Sequence, residues 1–588
     1  MLNKVKARFI TGKKLVCFLL VISICHWVYA QNSYFNKIYD HNGGLEGAFN
    51  VIALDSGYFV VGVVDDSFGN NAIGILFIDT LGNEIWLKEY NSPGNSLFAG
   101  VSGSFRHVSS GGFTLGGSIS YPDGDSDVML WRFDSNGDTL WTKIFQDTVN
   151  LEVAYSCAQS RDGGFVLAGY SDATSNKTLL IKTDSLGDEE WRQSYNGFSA
   201  VSVDTCFDGG YILGASTAGN DNGYVIKTDS SGNMQWSKIF GGPYAENPLV
   251  VASTSDGGYI VTGDSVYYYQ SFYDWSQLYM IKLDSNGSRK WSRGYGTVLP
   301  YNSLVSVREL PDGSFIATGQ ANLSGLSITS TEGALLKVAP NGDSLWYREL
   351  SYCPNGYSID YGRDVKPTDD GGYIMAGFKV GDTCSNGYQD MWVVKTNCLG
   401  FDNPPQPNFA YSITDSGNFI VTFINKTHYA DNVTFFFGDG DSITAPNSTQ
   451  IVPDTVTSLT HTYPDTGAYI VTAIAAACGD TGIYTDTVYI PPPAVIRKLQ
   501  VAGIGLQVYP NPFSGLATIE ITNYEKRNMN YELRVYDITG RKINTYTLKK
   551  GRKRLNITAD ETGTGMFFVN LVSGNELIAV EKMMILAE

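Results

Sequence analysis

The sequence is poor in the residues that usually announce chemistry. Of its 588 residues only five are histidine, and none falls in an H-E-x-x-H pattern. C-x-x-C, G-x-S-x-G and P-loop signatures are absent, so no standard zinc, thiol-redox, serine-hydrolase or nucleotide site can be read from a motif. Charged residues make up only 17% of the chain, and the balance is acidic, at -18. A surface without a basic surplus excludes nucleic acid as the expected partner, because a phosphate backbone is held by cations. Long apolar runs are also missing after the first thirty residues, so no membrane span is expected. What is abundant is glycine, with 64 residues, and aromatics, at 13%. Together they point to a turn-rich all-β protein, and the length calls for several domains.

The amino terminus carries Lys4, Lys6, Arg8, Lys13 and Lys14, followed by the apolar stretch Leu15 to Cys25 and Val28-Tyr29-Ala30. A basic head, an apolar stretch too short to span a bilayer and a small-residue cleavage site predict a secretory signal peptide over residues 1–30. Two of the eight cysteines lie in that segment. The other six, Cys157, Cys206, Cys353, Cys384, Cys398 and Cys478, would enter an oxidising compartment where disulfides persist.

A unit of about fifty residues recurs through the first two thirds of the chain. Its head reads DSGYFVVG at Asp55, SGGFTLGG at Ser110 and DGGFVLAG at Asp162, then recurs at Asp208, Asp256, Asp312 and Asp370. Its tail, of the type DSSGNMQW, ends at Trp86, Trp141, Trp191, Trp236, Trp291 and Trp346. Each D-G-G and D-S-x-G is a tight turn, since glycine takes positive φ and aspartate bonds its own backbone. The intervening segments alternate or run apolar with β-forming residues. The order is therefore strand A, turn, strand B, loop, strand C, turn, strand D with its Trp. Seven heads meet only six tails, and Phe35-Asn36-Lys37-Ile38-Tyr39 reads as the missing tail strand. The expected fold class is all-β: a seven-bladed β-propeller over residues 31–402, closed by that N-terminal strand pairing with Met391 to Asn397. The tail is similar to the repeat of quinoprotein propellers, and the period to that of kelch repeats. Both resemblances imply the architecture and neither implies an activity.

The A–B and C–D turns are short and uniform, whereas the B–C loops vary, so a ligand site is expected on the B–C/D–A face. There, Tyr267, Tyr268, Tyr269, Phe272, Tyr273 and Trp275 form a ring-rich loop suited to stacking on sugar or anchoring a protein, or to covering a blade edge. Asp123, Asp125 and Asp127 alternate in another B–C loop and could offer oxygen ligands to Ca²⁺, but the full EF-hand pattern is absent and a solvated acidic turn is the preferred reading. Cys353 and Cys384 fall on the same predicted face and are candidates for a disulfide, while Cys157 and Cys206 read as buried thiols on inner strands.

Beyond the Pro-rich Asn403 to Pro407, VTFFFGDGDS from Val433 and HTYPDTGAYIVT from His461 resemble the PKD domain. That resemblance implies an Ig-like β-sandwich over residues 403–492, a spacer or interaction module in which Gly438-Asp439-Gly440 and Tyr463 are structural. After a second Pro-rich break, YPNPF from Tyr509, VYDITGR from Val535 and GMFFV from Gly565 resemble the type A C-terminal sorting domain of the type IX secretion system, over residues 503–588. The resemblance implies a Gram-negative bacterium, export over both membranes and the secretion machinery as partner. With no catalytic motif, the expectation is a non-catalytic secreted or cell-surface binding protein that recognises glycan or protein. The alternative is a secreted polysaccharide hydrolase with a carboxylate pair on the loop face.

Overall fold

The computed structural model describes residues 34–41, 43–66, 69–101, 103–147, 149–173, 177–217, 222–241, 246–270, 273–322, 331–352, 359–381, 389–446, 458–491, 504–522, 530–549, 551–574 and 576–586, without the side chains of 246–249, 267–270, 273, 274 and 446. The signal-peptide segment, Phe272, Cys353 and Cys384 lie outside it. The described chain is almost entirely β, with one short helix at Ala559–Thr562. No described helix is long and apolar enough to cross a membrane.

Up to residue 396 the strands form seven antiparallel sheets of consecutive strands. The third is typical: Glu152–Gln159, Phe165–Ser171, Lys177–Thr183 and Glu189–Asn196 pair in chain order. The repeat explains why. In five of the six tail turns an aspartate carboxylate accepts the backbone N–H groups two and four residues on, as Asp229 does from Ser231 and Asn233, both at 2.9 Å; the sixth opens on Ala339, and there Asn341 accepts from the Asp343 N–H. The glycine that follows sits at positive φ, 81° at Gly232. Strands B and C are buried on both faces, so they read as near-continuous apolar runs, whereas strand D is half exposed. The last sheet breaks chain order: Phe35–Tyr39 pairs antiparallel with Gln389–Thr396, Phe35 opposite Lys395 and Tyr39 opposite Met391.

The apolar core lies between sheets. Cys206, Val225 and Val251 join the fourth sheet to the fifth, and Val250, Val307 and Leu336 join the fifth to the sixth. The series returns on itself, because Val51, Tyr58 and Val60 of the first sheet pack on Ile374, Met391 and Val393 of the last. The sheets thus close a ring. A second relationship runs round it. A Cβ placed on the tail-turn glycine would strike the aromatic ring of the preceding tail: Gly137 meets Trp86, Gly187 Trp141, Gly232 Trp191, Gly287 Trp236, Gly342 Trp291 and Gly400 Trp346, at 2.6 to 3.1 Å. The tail Trp is therefore a fastener between sheets, and its glycine is required by space as well as by φ.

Buried lysines brace the other turn. Lys182, Lys227, Lys282 and Lys395, in strand C of four sheets, reach the head aspartates Asp162, Asp208, Asp256 and Asp370 at 2.7 to 2.8 Å. Burial alone would raise these carboxyls, but the lysine contact outweighs it and holds all four below the usual range.

Two further pairs of sheets follow. The first has Phe409–Asp415, Ile420–Asn425 and Ser458–Thr462 in one sheet, and Ser442–Pro446, Asn432–Phe436, Gly467–Ala477 and Asp480–Ile490 in the other. Phe409, Phe423 and Phe435 meet in its core at centroid distances of 5.7 to 6.2 Å. The Gly438-Asp439-Gly440 turn is locked by His461, whose Nε2 lies 2.6 Å from Asp439 and whose ring stacks on Phe437 at 3.8 Å. Cys398, just past the last ring strand, is disulfide-bonded to Cys478. The carboxy-terminal pair consists of Gly505–Tyr509, Leu516–Thr522 and Arg554–Thr558 over Lys542–Leu548, Tyr531–Asp537, Gly565–Ser573 and Glu576–Ile585. Leu533, Val535, Ile557, Val569 and Met583 form its core.

Candidate functional site

Each inner strand runs from the D–A connection towards the D-G-G turn, so its first residues lie at one mouth of the ring. An arc of aromatic rings collects there. Tyr361 lies 4.8 Å from Phe378, Phe378 lies 6.1 Å from Phe49, Phe49 lies 6.1 Å from Phe98, and Phe98 lies 5.9 Å from Tyr155. In the strand paired with that of Tyr155, Tyr170 packs at 5.3 Å on Phe198. Phe49, Tyr155 and Tyr361 come from the first halves of inner strands, Phe378 and Tyr170 from the last halves of second strands, and Phe198 from a D–A connection. The arc therefore runs over four consecutive sheets, from the last through the first and second to the third, on the B–C/D–A side. Most of its rings are half-buried, and Phe198 is 39% exposed. Rings held edge to face by their neighbours form a rigid apolar rim.

Arg363 stands at one end of this arc. Its guanidinium lies 4.9 Å from the Phe378 ring centroid, 5.3 Å from that of Tyr361 and 5.9 Å from that of Phe49. Its buried Nε has no hydrogen-bond partner among the described residues, and no described carboxylate pairs with it. Burial draws its pKa below the ordinary value. A cation held by rings alone is incompletely solvated by the protein.

Deeper in the ring the charges are satisfied. Asp364, fully buried, accepts from Arg308 and Ser306 at 2.8 Å and from the Val51 N–H at 3.2 Å, and also binds Lys366. Burial would raise its carboxyl, yet the two cations hold it at about 2. Burial, and then the charge of Arg308, push Lys366 down to about 7. Across the channel Arg106 faces Asp204 at 3.9 Å, and Gly103, Ser156, Ser202 and Arg308 complete the wall of a cavity of about 250 Å³. Each of these cations thus faces a carboxylate, while Glu309 on the same wall accepts from the Ser255 N–H at 2.6 Å and the Ser255 hydroxyl at 2.9 Å.

The sequence-predicted sites fare differently. The ring-rich segment is not a loop: Tyr267, Tyr268 and Tyr269 end the strand Tyr259–Gln270, Tyr273 and Trp275 open Tyr273–Leu283, and Tyr268 pairs opposite Trp275. Aromatic residues favour a pleated strand, and cross-strand pairing satisfies backbone groups that a loop would leave to water. Trp275 is half-buried. Asp123, Asp125 and Asp127 do not converge as a Ca²⁺ site. Asp123 and Asp125 accept backbone N–H groups of their own turn, while buried Asp127 accepts from Tyr121 Oη at 2.9 Å and from the Asp147 N–H at 3.1 Å. Turn formation uses the oxygens that an ion would need. The described donors close enough to share an ion are Asp439, Asp441 and His461 instead, and there His461 already bonds Asp439. Cys157 and Cys206 are buried free thiols as expected, and burial raises both, to about 12 and about 11.

Near the same end of the ring as the arc, Glu349 is raised to about 8, first by partial withdrawal from water and then by its neighbour Glu332.

The carboxy-terminal segment matches the family model described as the secretion system C-terminal sorting domain, over residues 507–586. Comparison with curated proteins found no match. Among solved structures, the chain is similar to the WD40 β-propeller domain of Doa1, at 12% identity and a TM-score of 0.38, covering 60% of this chain and 94% of that one. It is also similar to prolyl oligopeptidase B from Galerina marginata, at 9% identity and a TM-score of 0.32, covering 66% of this chain and 56% of that one. Likenesses at these scores carry no argument, and the propeller-like fold rests on the sheet pairing and cores above. The sorting domain marks a protein exported by the type IX secretion system, with that machinery as its partner. The chain is secreted or held at the outer surface of a Gram-negative bacterium of the Bacteroidetes type.

Proposed function

We propose that this is a non-catalytic binding or adhesion protein of the bacterial surface, and that its ring recognises glycan at the aromatic mouth. In this reading residues 1–30 are a signal peptide and the seven sheets of residues 31–402 are the blades of a β-propeller closed by the N-terminal strand. Residues 403–492 are a PKD-like spacer and residues 503–588 the sorting domain. The carrying observation is the arc from Tyr361 through Phe378, Phe49, Phe98 and Tyr155 to Phe198. Its rings are preorganised by mutual contact, so a saccharide ring can stack on them with little ordering cost. The test is a glycan array probed with the purified full-length chain, run beside a polysaccharide hydrolysis screen. Saturable binding that Phe98→Ala and Phe198→Ala each weaken about tenfold or more, without turnover, is expected. Binding that survives both substitutions, or turnover of the bound chain, would refute the reading.

A further inference from the structure

Resting on the glycan reading above, we infer that the mouth selects acidic saccharides and that Arg363 is the residue that receives the sugar carboxylate. Three observations carry this. First, Arg363 has no ion-pair partner among the described residues, whereas Arg106 faces Asp204, and Arg308 and Lys366 share Asp364. The chain carries a net charge of -18, yet no described carboxylate pairs with this guanidinium. Second, the guanidinium is fixed against Phe49, Tyr361 and Phe378, so its donors are oriented in advance. A bidentate carboxylate then binds with little loss of side-chain freedom. Third, Phe49 and Phe378 also belong to the arc, so a polymer laid along the rim brings one of its sugars to Arg363 while others stack towards Phe198. An apolar rim lowers the local dielectric, which strengthens the charge-assisted contact.

Lysine at this position would give a point charge without the fork that a carboxylate fits, and glutamine would keep hydrogen bonding without charge. The ligand class is therefore a uronic-acid-containing glycan. A peptide with acidic side chains offers the same carboxylate, but it lacks the succession of flat pyranose faces that an arc over four sheets accommodates.

The test uses the full-length chain and oligomers of galacturonate, mannuronate and a glucuronate-containing glycan, each beside its carboxyl-reduced neutral counterpart, by titration calorimetry. At least one uronate is expected to bind about tenfold or more tighter than its reduced form. Arg363→Gln should abolish that preference and keep the residual neutral binding, Arg363→Lys should retain part of it, and Phe98→Ala should weaken both forms equally. A preference that Arg363→Gln leaves intact, or equal affinity for charged and reduced forms, overturns the inference while the glycan reading stands. Failure of the wild-type chain to bind any saccharide overturns both. Binding of poly-glutamate in place of the uronates overturns the assignment to glycan. Matching circular dichroism and thermal unfolding of the Arg363→Gln chain to wild type distinguishes lost recognition from lost fold.

Discussion

The ring of Phe35 occupies the space that a Cβ on Gly82 would need, 2.7 Å from that position. Lys37 Nζ and Tyr39 Oη bond the carbonyl of the same glycine, at 2.9 and 2.8 Å. Elsewhere the same relationship joins a Trp to the glycine of the next sheet, so the amino-terminal strand fastens the last sheet to the first as each tail fastens its neighbour. Phe35→Ala is expected to destabilise the ring by about 3 kcal/mol, the usual loss for a buried phenylalanine. Gly82→Ala should cost at least about 1 kcal/mol from positive φ alone, with the clash added. Urea unfolding followed by tryptophan fluorescence checks both. A Phe35→Ala chain as stable as wild type would contradict the fastening role.

The repeat was legible because its turns are written in glycine and aspartate, and the mismatch of heads and tails pointed to Phe35–Tyr39. The aromatic mouth was not. Phe49, Phe98, Tyr155 and Arg363 occupy comparable places on inner strands but differ in type, and Phe98 belongs to a strand split from Phe105–His107. No periodic signal marks them. Tyr267 to Trp275 drew attention by density, yet their β preference extends a hairpin. The burial of the strand C lysines against the head turns is not marked in the sequence, because it depends on the close packing of adjacent sheets.

Buried Asp364 is a point of acid sensitivity. Its folded pKa is depressed to about 2, below the roughly 3.9 of an unfolded aspartate. Its contribution is therefore complete above about pH 4 and lost as pH falls towards 2. Asp364→Ala leaves Arg308 and Lys366 without their shared counter-charge and should cost about 3 to 5 kcal/mol at neutral pH. The variant's unfolding midpoint should also vary less than wild type between pH 4 and 2.5. An equal slope in both chains would remove Asp364 as the source.

His41 works in the opposite direction. It bridges Glu46 at 3.0 Å and Glu84 at 3.1 Å, and the hydrogen bond to Glu46 chiefly raises it to about 9. A raised folded pKa gives stability that is full below the unfolded value near 6.5 and lost as pH rises through 9. Because Glu84 and the imidazole are partly in water, the effect should be about 1 to 2 kcal/mol. Stability of the wild type is expected to decline between pH 6.5 and 9.5, and His41→Gln should flatten that decline. A decline that persists in the variant belongs to another group.

The Cys398–Cys478 disulfide closes a segment of sequence separation 80. In the chain-entropy account such a closure contributes about 4 kcal/mol, with engineered cases returning less. The double variant Cys398→Ser/Cys478→Ser should unfold about 2 to 4 kcal/mol more easily and become susceptible to proteolysis near the Pro404-Pro405 break. Non-reducing mass mapping of the wild-type chain should show this bridge. Recovery of Cys398 as a free thiol would exclude it.

Arg363 separates recognition from folding. A guanidinium held by rings without a carboxylate gains a cation–π contact of about 0.5 to 2 kcal/mol and loses hydration of comparable size. Methionine keeps the volume and touches the same rings through sulfur, at about 0.3 to 1.5 kcal/mol, with no charge to desolvate. Arg363→Met should therefore leave stability unchanged or raise it by about 1 kcal/mol. Denaturant unfolding without ligand checks this. A loss above about 2 kcal/mol would make the arginine a structural member of the mouth, because its contacts with Phe49, Tyr361 and Phe378 would then outweigh the hydration it forfeits.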